Sequence, residues 1–137
     1  MSNRTFTRLI VAGAIGTGAL AAVTTLPAVQ AGAAGAPVNV TLKCSGSSMV
    51  NLQLQREDTG KVSVDFGVDM ARHKAGVQWK VTETDNGTTI VSTTAKTIRD
   101  GSFRITRLLA PAAGANTVVG TATNPLTGET CTVSGTV

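Results

Sequence analysis

The chain has no tyrosine, one tryptophan, one histidine and two cysteines in 137 residues. Each scarcity removes a class of function. Three phenylalanines complete the aromatic set, and one of them, Phe6, lies close to the amino terminus. So few rings leave no aromatic platform for stacking sugars. Two cysteines without companion ligands make a poor zinc site. One histidine leaves general acid–base chemistry with a single ordinary candidate. Lysines and arginines are scattered from Lys43 to Arg107 without a block, so neither a nucleic-acid partner nor another polyanion is expected. Helical stripes are missing too: no window from Asn39 onward repeats its apolar residues at helical spacing.

The one long apolar run lies at the start. Arg4 and Arg8 precede 15 uncharged residues from Leu9 to Val23, followed by Pro27 and Val29-Gln30-Ala31. A spanning helix needs about 20 apolar residues, and Gly13, Gly16 and Gly18 weaken any helix here. The pattern is that of a secretory signal peptide over residues 1–31, cut between Ala31 and Gly32. A second cut after Ala36 is poorer because Pro37 would follow it. The arginines are not adjacent, which argues against a twin-arginine signal, and the first cysteine is Cys44, too late for a lipoprotein anchor. No membrane contact is expected once the signal is removed. Cleavage leaves 106 residues and lowers the formal charge from +4 to +2. That length suits one domain with one core.

Cys44 and Cys131 are the remaining pair. In an exported chain an even count reads as one disulfide, here spanning 87 residues. Closing such a loop stabilises by about 4–5 kcal/mol in the chain-entropy account.

Residues 32–38 read as a flexible leader, and 39–137 as one β domain. Val50, Leu52 and Leu54 alternate with polar residues, as do Val62, Val64, Phe66 and Val68. The same holds for Val77, Trp79 and Val81, for Phe103 and Ile105, and for Cys131 and Val133. Period two marks strands with one buried and one wet face. Glu57-Asp58-Thr59-Gly60, Asn86-Gly87, Asp100-Gly101 and Asn124-Pro125-Leu126-Thr127-Gly128 supply the turns, Asn86-Gly87 being the strongest hairpin signal. Seven or eight such strands predict an all-β, immunoglobulin-like antiparallel sandwich with Trp79 at its centre. Asn116 to Asn124 reads as the penultimate strand and Glu129 to Val137 as the last. The expected bridge departs from the antibody pattern, since it ties the start of the domain to the last strand.

From Cys44 to Val137 the chain resembles a group of small secreted actinobacterial proteins without an assigned activity. The resemblance rests on Cys44 before an alternating Leu strand, Gly60-Lys61, Gly76-x-x-Trp79, Asn86-Gly87, Gly101-Ser102-Phe103 and Ala122-Thr123-Asn124-Pro125-x-Thr127-Gly128-Glu129-x-Cys131. The Ala, Gly, Thr and Val bias agrees with a high-GC source. These motifs are turns, core positions and a bridge, so the resemblance implies a fold and transfers no site.

Searched for chemistry, the chain offers His73 with Asp65 or Asp69 and Ser63 or Ser102 as a hydrolase set, but no nucleophile elbow surrounds them. His73 is expected to be a solvated loop residue. Glu57-Asp58 reads as a solvated turn rather than a calcium site or glycosidase pair. Arg99, Arg104 and Thr106 read as a solvated strip. No catalytic, cofactor or metal residue is assigned. The expected function is a secreted, non-catalytic domain, binding or structural, with a cell-wall or secreted protein partner. The alternative is a small-ligand carrier or protease inhibitor. Antibiotic carriers of this size also use an immunoglobulin-like sandwich, though with two disulfides. A deep apolar cleft would favour the carrier, and a rigid projecting loop, for which Leu109 to Gly114 is the candidate, would favour the inhibitor.

Overall fold

The computed structural model describes residues 35–137. The signal segment and the Ala31–Gly32 cleavage lie outside the described residues. Eight strands follow one another: β1 (Val38–Lys43), β2 (Met49–Arg56), β3 (Val62–Asp69), β4 (Gln78–Asp85), β5 (Thr88–Lys96), β6 (Ser102–Leu109), β7 (Thr117–Thr123) and β8 (Thr130–Thr136). They form two antiparallel four-stranded sheets, ordered β1-β2-β3-β6 and β5-β4-β7-β8.

The expected strands and turns are present. Asn86 and Gly87 have φ of 48° and 83°, the doubly positive pair of a type I′ hairpin turn. One boundary moves. Val38, expected in the leader, is the first residue of β1 and is buried, because it pairs with Leu54 and lies against Gly135 of β8. β2 and β3 stay together as neighbours in the first sheet, and the chain crosses to the second sheet between β3 and β4.

The core follows the alternation. Val50, Leu52, Leu54, Val62, Val64, Phe66 and Trp79 are all fully buried. Trp79 meets Phe103 with ring centroids 6.3 Å apart, and Phe103 meets Phe66 at the same distance. Gly120 on β7 leaves the room that the Phe66 ring occupies. Cys44 and Cys131 are bonded, with Cα atoms 4.4 Å apart. The bridge ties the end of β1 in one sheet to β8 in the other, on the side where β8 packs against β1 and β2.

The alternating directions gather the connections at two ends. Residues 44–48, 70–77, 97–101 and 124–129 share one end, and the turns at 57–61, 86–87 and 110–116 share the other.

Candidate functional site: the four-loop end

Loops 70–77 and 97–101 are latched together. Thr97 donates its hydroxyl to the Lys74 carbonyl at 2.6 Å and accepts the Val77 N–H at 3.0 Å. The Met70 N–H reaches the Gly101 carbonyl at 3.0 Å. Gly101 is required twice over: its φ is +83°, and a Cβ there would strike the Arg72 carbonyl. Loop 44–48 is latched to the 124–129 turn in the same way. The Ser48 N–H donates to Glu129 Oε1 at 2.8 Å and its hydroxyl to Oε2 at 3.1 Å. Ser45 and Thr130 share three further bonds, beside the disulfide. The Asn124 side chain accepts the Leu126 N–H at 3.0 Å, fixing the turn from within.

Between the two latched pairs lies a cleft of about 390 Å³, with Met70, Arg72, Lys74 and Val77 on one wall and Leu126 and Glu129 on the other. A second cleft of about 390 Å³ continues past Lys74 and Leu126 to Gln78 and Pro125. Leu126 stands at both and is 87 % exposed. A groove of about 420 Å³ on the outer face of the first sheet follows the row Thr41, Asn51, Gly67, Arg104. Its polar groups already satisfy one another: Asn51 donates to Thr41 at 2.9 Å, and Arg104 pairs with Asp65 at 2.9 Å. It therefore offers less to a ligand than the four-loop end.

The sequence candidates fall as follows. His73 is exposed in its loop, as expected, and its Nδ1 lies 2.9 Å from the Asp100 carbonyl of the neighbouring loop. Asp100 is the carboxylate brought near it, rather than Asp65 or Asp69. Ser102 donates both its N–H and its hydroxyl to Asp100 Oδ1, at 2.9 and 2.7 Å, and these bonds hold the Asp100 carboxyl below its usual range. The serine proton is thus directed at the Asp100 carboxylate and not at the imidazole, so Ser102 and His73 form no nucleophile–base pair. Ser63 and Asp65 lie on the outer face of β3 away from this end, and Asp69 closes the strand. Glu57 and Asp58 are exposed in their turn. Arg104 is exposed and pairs with Asp65 at 2.9 Å, while Arg99 lies apart from it in the 97–101 loop. Among the described residues no group of three or more His, Cys, Asp or Glu is placed to hold a metal ion.

One titratable residue was not singled out from the sequence. Glu83 faces the core in phase with Trp79 and Val81, fully buried, and neither carboxylate oxygen has a hydrogen-bond partner. Burial pushes its carboxyl up to about 7, against an opposing pull from Arg107 and with a smaller push from Asp65. The signal was the phase of 79, 81 and 83, masked by the two threonines that flank Glu83 before the Asn86-Gly87 turn.

No family model matches the chain, and no curated protein matches it, so no residue role is carried over from a relative.

Proposed function

We propose that this chain is an exported, non-catalytic docking domain that presents its four-loop end to a partner at the cell surface or in the medium. One observation carries the reading: two pairs of loops, each fixed by its own hydrogen bonds, converge around clefts that share Lys74 and the 87 %-exposed Leu126. Rigid scaffolds that hold shaped loops at one end are the common form of a recognition surface. Export is supported by the signal-like start and by the disulfide, which persists in oxidising compartments. Among the described residues no helix is long and apolar enough to cross a membrane. The commitments of His73 and Ser102 support the non-catalytic part.

The test is retention of purified exported protein on washed producer cells. Leu126→Glu and Lys74→Glu should each reduce retention, and Lys61→Glu at the opposite end should leave it unchanged. Equal retention of all three variants would overturn the reading.

The inhibitor alternative has one observation in its favour. Ala110 to Gly114 is exposed, and Arg56 braces it through the Gly114 carbonyl at 3.2 Å. Inhibition of a subtilisin-type protease, abolished by substitutions at Ala112 and Ala113, would select that reading. The carrier alternative lacks such support, because Trp79, Phe66, Leu52 and Leu54 fill the space between the sheets.

A further inference from the structure

We infer that the four-loop end docks on an anionic lipid membrane surface. This rests on the docking-end reading above and names the chemistry of the surface it meets. Five large apolar residues are exposed among the described residues, and four of them lie at this end: Leu42 at 46 %, Met49 at 41 %, Ile98 at 62 % and Leu126 at 87 %. They come from four separate segments: the end of β1, the start of β2, loop 97–101 and the 124–129 turn. Only Leu108 lies elsewhere, on β6.

The cations gather at the same end. Lys43, Arg72, Lys74, Lys96 and Arg99 lie on these loops or the strand ends that carry them. None of them forms an ion pair among the described residues, where the pair is Arg104–Asp65. Of the acids there, Glu129 has both oxygens bonded to Ser48, and Asp100 is bonded to Ser102; Asp69 is the third. Five cations against three acids make this end positive. At the opposite end Arg56, Lys61 and Arg107 are matched by Glu57, Asp58 and Asp85.

Separated apolar tips among unpaired cations suit a fluid anionic surface. The cations are drawn to lipid phosphates, and the tips enter the headgroup layer without needing a matching pocket. A protein interface instead concentrates aromatic anchors and keeps charge out of its centre, and this end exposes no aromatic ring among the described residues. The chain taken segment by segment points to no membrane contact after signal cleavage. No one segment carries the signature, and only the fold assembles it.

The experiment is co-sedimentation of the exported protein with phosphatidylcholine vesicles, with and without phosphatidylglycerol, at low and high salt. Binding is expected only with phosphatidylglycerol and should weaken as salt rises. Lys74→Glu and Leu126→Glu should each lower it about tenfold, and Lys61→Glu should leave it within about twofold. Absence of binding to phosphatidylglycerol vesicles at low salt overturns the inference. So does a Leu126→Glu variant that binds as well as the parent, or an equal loss on Lys61→Glu. If vesicles fail while cell retention still depends on Leu126 and Lys74, the membrane inference falls and the docking end stands, with a protein or wall polymer as its partner.

Discussion

Replacing Glu83 with glutamine should make the protein more stable at neutral and alkaline pH and should remove most of its pH dependence between about 4.5 and 8. Glu83 is fully buried on β4 between Val91 and Gly120, and neither oxygen has a partner. Ionisation in that position lacks solvation, so the folded carboxyl rises from its ordinary 4.5 to about 7. The folded state therefore holds its proton where the unfolded chain has already lost it. A raised carboxyl of this kind contributes its full stability below pH 4.5 and loses it as pH climbs through 7. At roughly 1.4 kcal/mol per pH unit of displacement, Glu83 should cost the native protein about 3 kcal/mol at pH 8 relative to pH 4.5. Glutamine keeps the shape, carries no charge and loses nothing over that range. Urea denaturation of parent and Glu83→Gln at pH 4.5, 6 and 8 decides the matter. The two should be close at pH 4.5 and diverge at pH 8 by ~2–3 kcal/mol in favour of glutamine, since other titrating groups are common to both. Parallel pH profiles would refute the reasoning and would mean that the Glu83 carboxylate reaches solvent or Arg107 when it ionises.

Trp79→Ala should cost about 3–5 kcal/mol in denaturant unfolding, because it empties the contact with Phe103 at the centre of the core. An effect below 1 kcal/mol would show that the core collapses around the gap. Gly120→Ala should destabilise by ~1–3 kcal/mol, since its Cβ would run into the Phe66 ring, and Phe66→Leu in the same chain should recover part of the loss. Reducing the Cys44–Cys131 bond should lower stability by about 4–5 kcal/mol if the 87-residue loop acts through the unfolded chain; intact mass with and without reductant verifies the bond. Mass spectrometry of the exported protein should find Gly32 as its first residue, and an intact Met1 form in the membrane fraction would contradict the signal reading.

Local chemistry made much of this protein legible in its sequence. The period-two stripes through Leu52, Phe66 and Trp79 fix which side chains face inward, because each strand residue points opposite to its neighbour whatever strand lies beside it. Asn86-Gly87 dictates its own turn, because both residues tolerate positive φ. The lone cysteine pair had a single connectivity to adopt. What the stripes do not carry is which strands become neighbours. Keeping β2 and β3 in one sheet and crossing at β4 depends on pairings between residues far apart in the chain, such as Lys80 with Thr123 and Phe66 with Ile105. Those pairings are decided by how two whole sheets bury their apolar faces at once. The same long-range choice seals Glu83 beneath the facing sheet and sets Asp65 against Arg104. It also brings 44–48, 70–77, 97–101 and 124–129 to one end. Each of those four segments alone reads as an ordinary polar turn. Their shared end exists only once strand order and direction are set, and the charged, apolar-tipped surface is therefore a property of the tertiary structure.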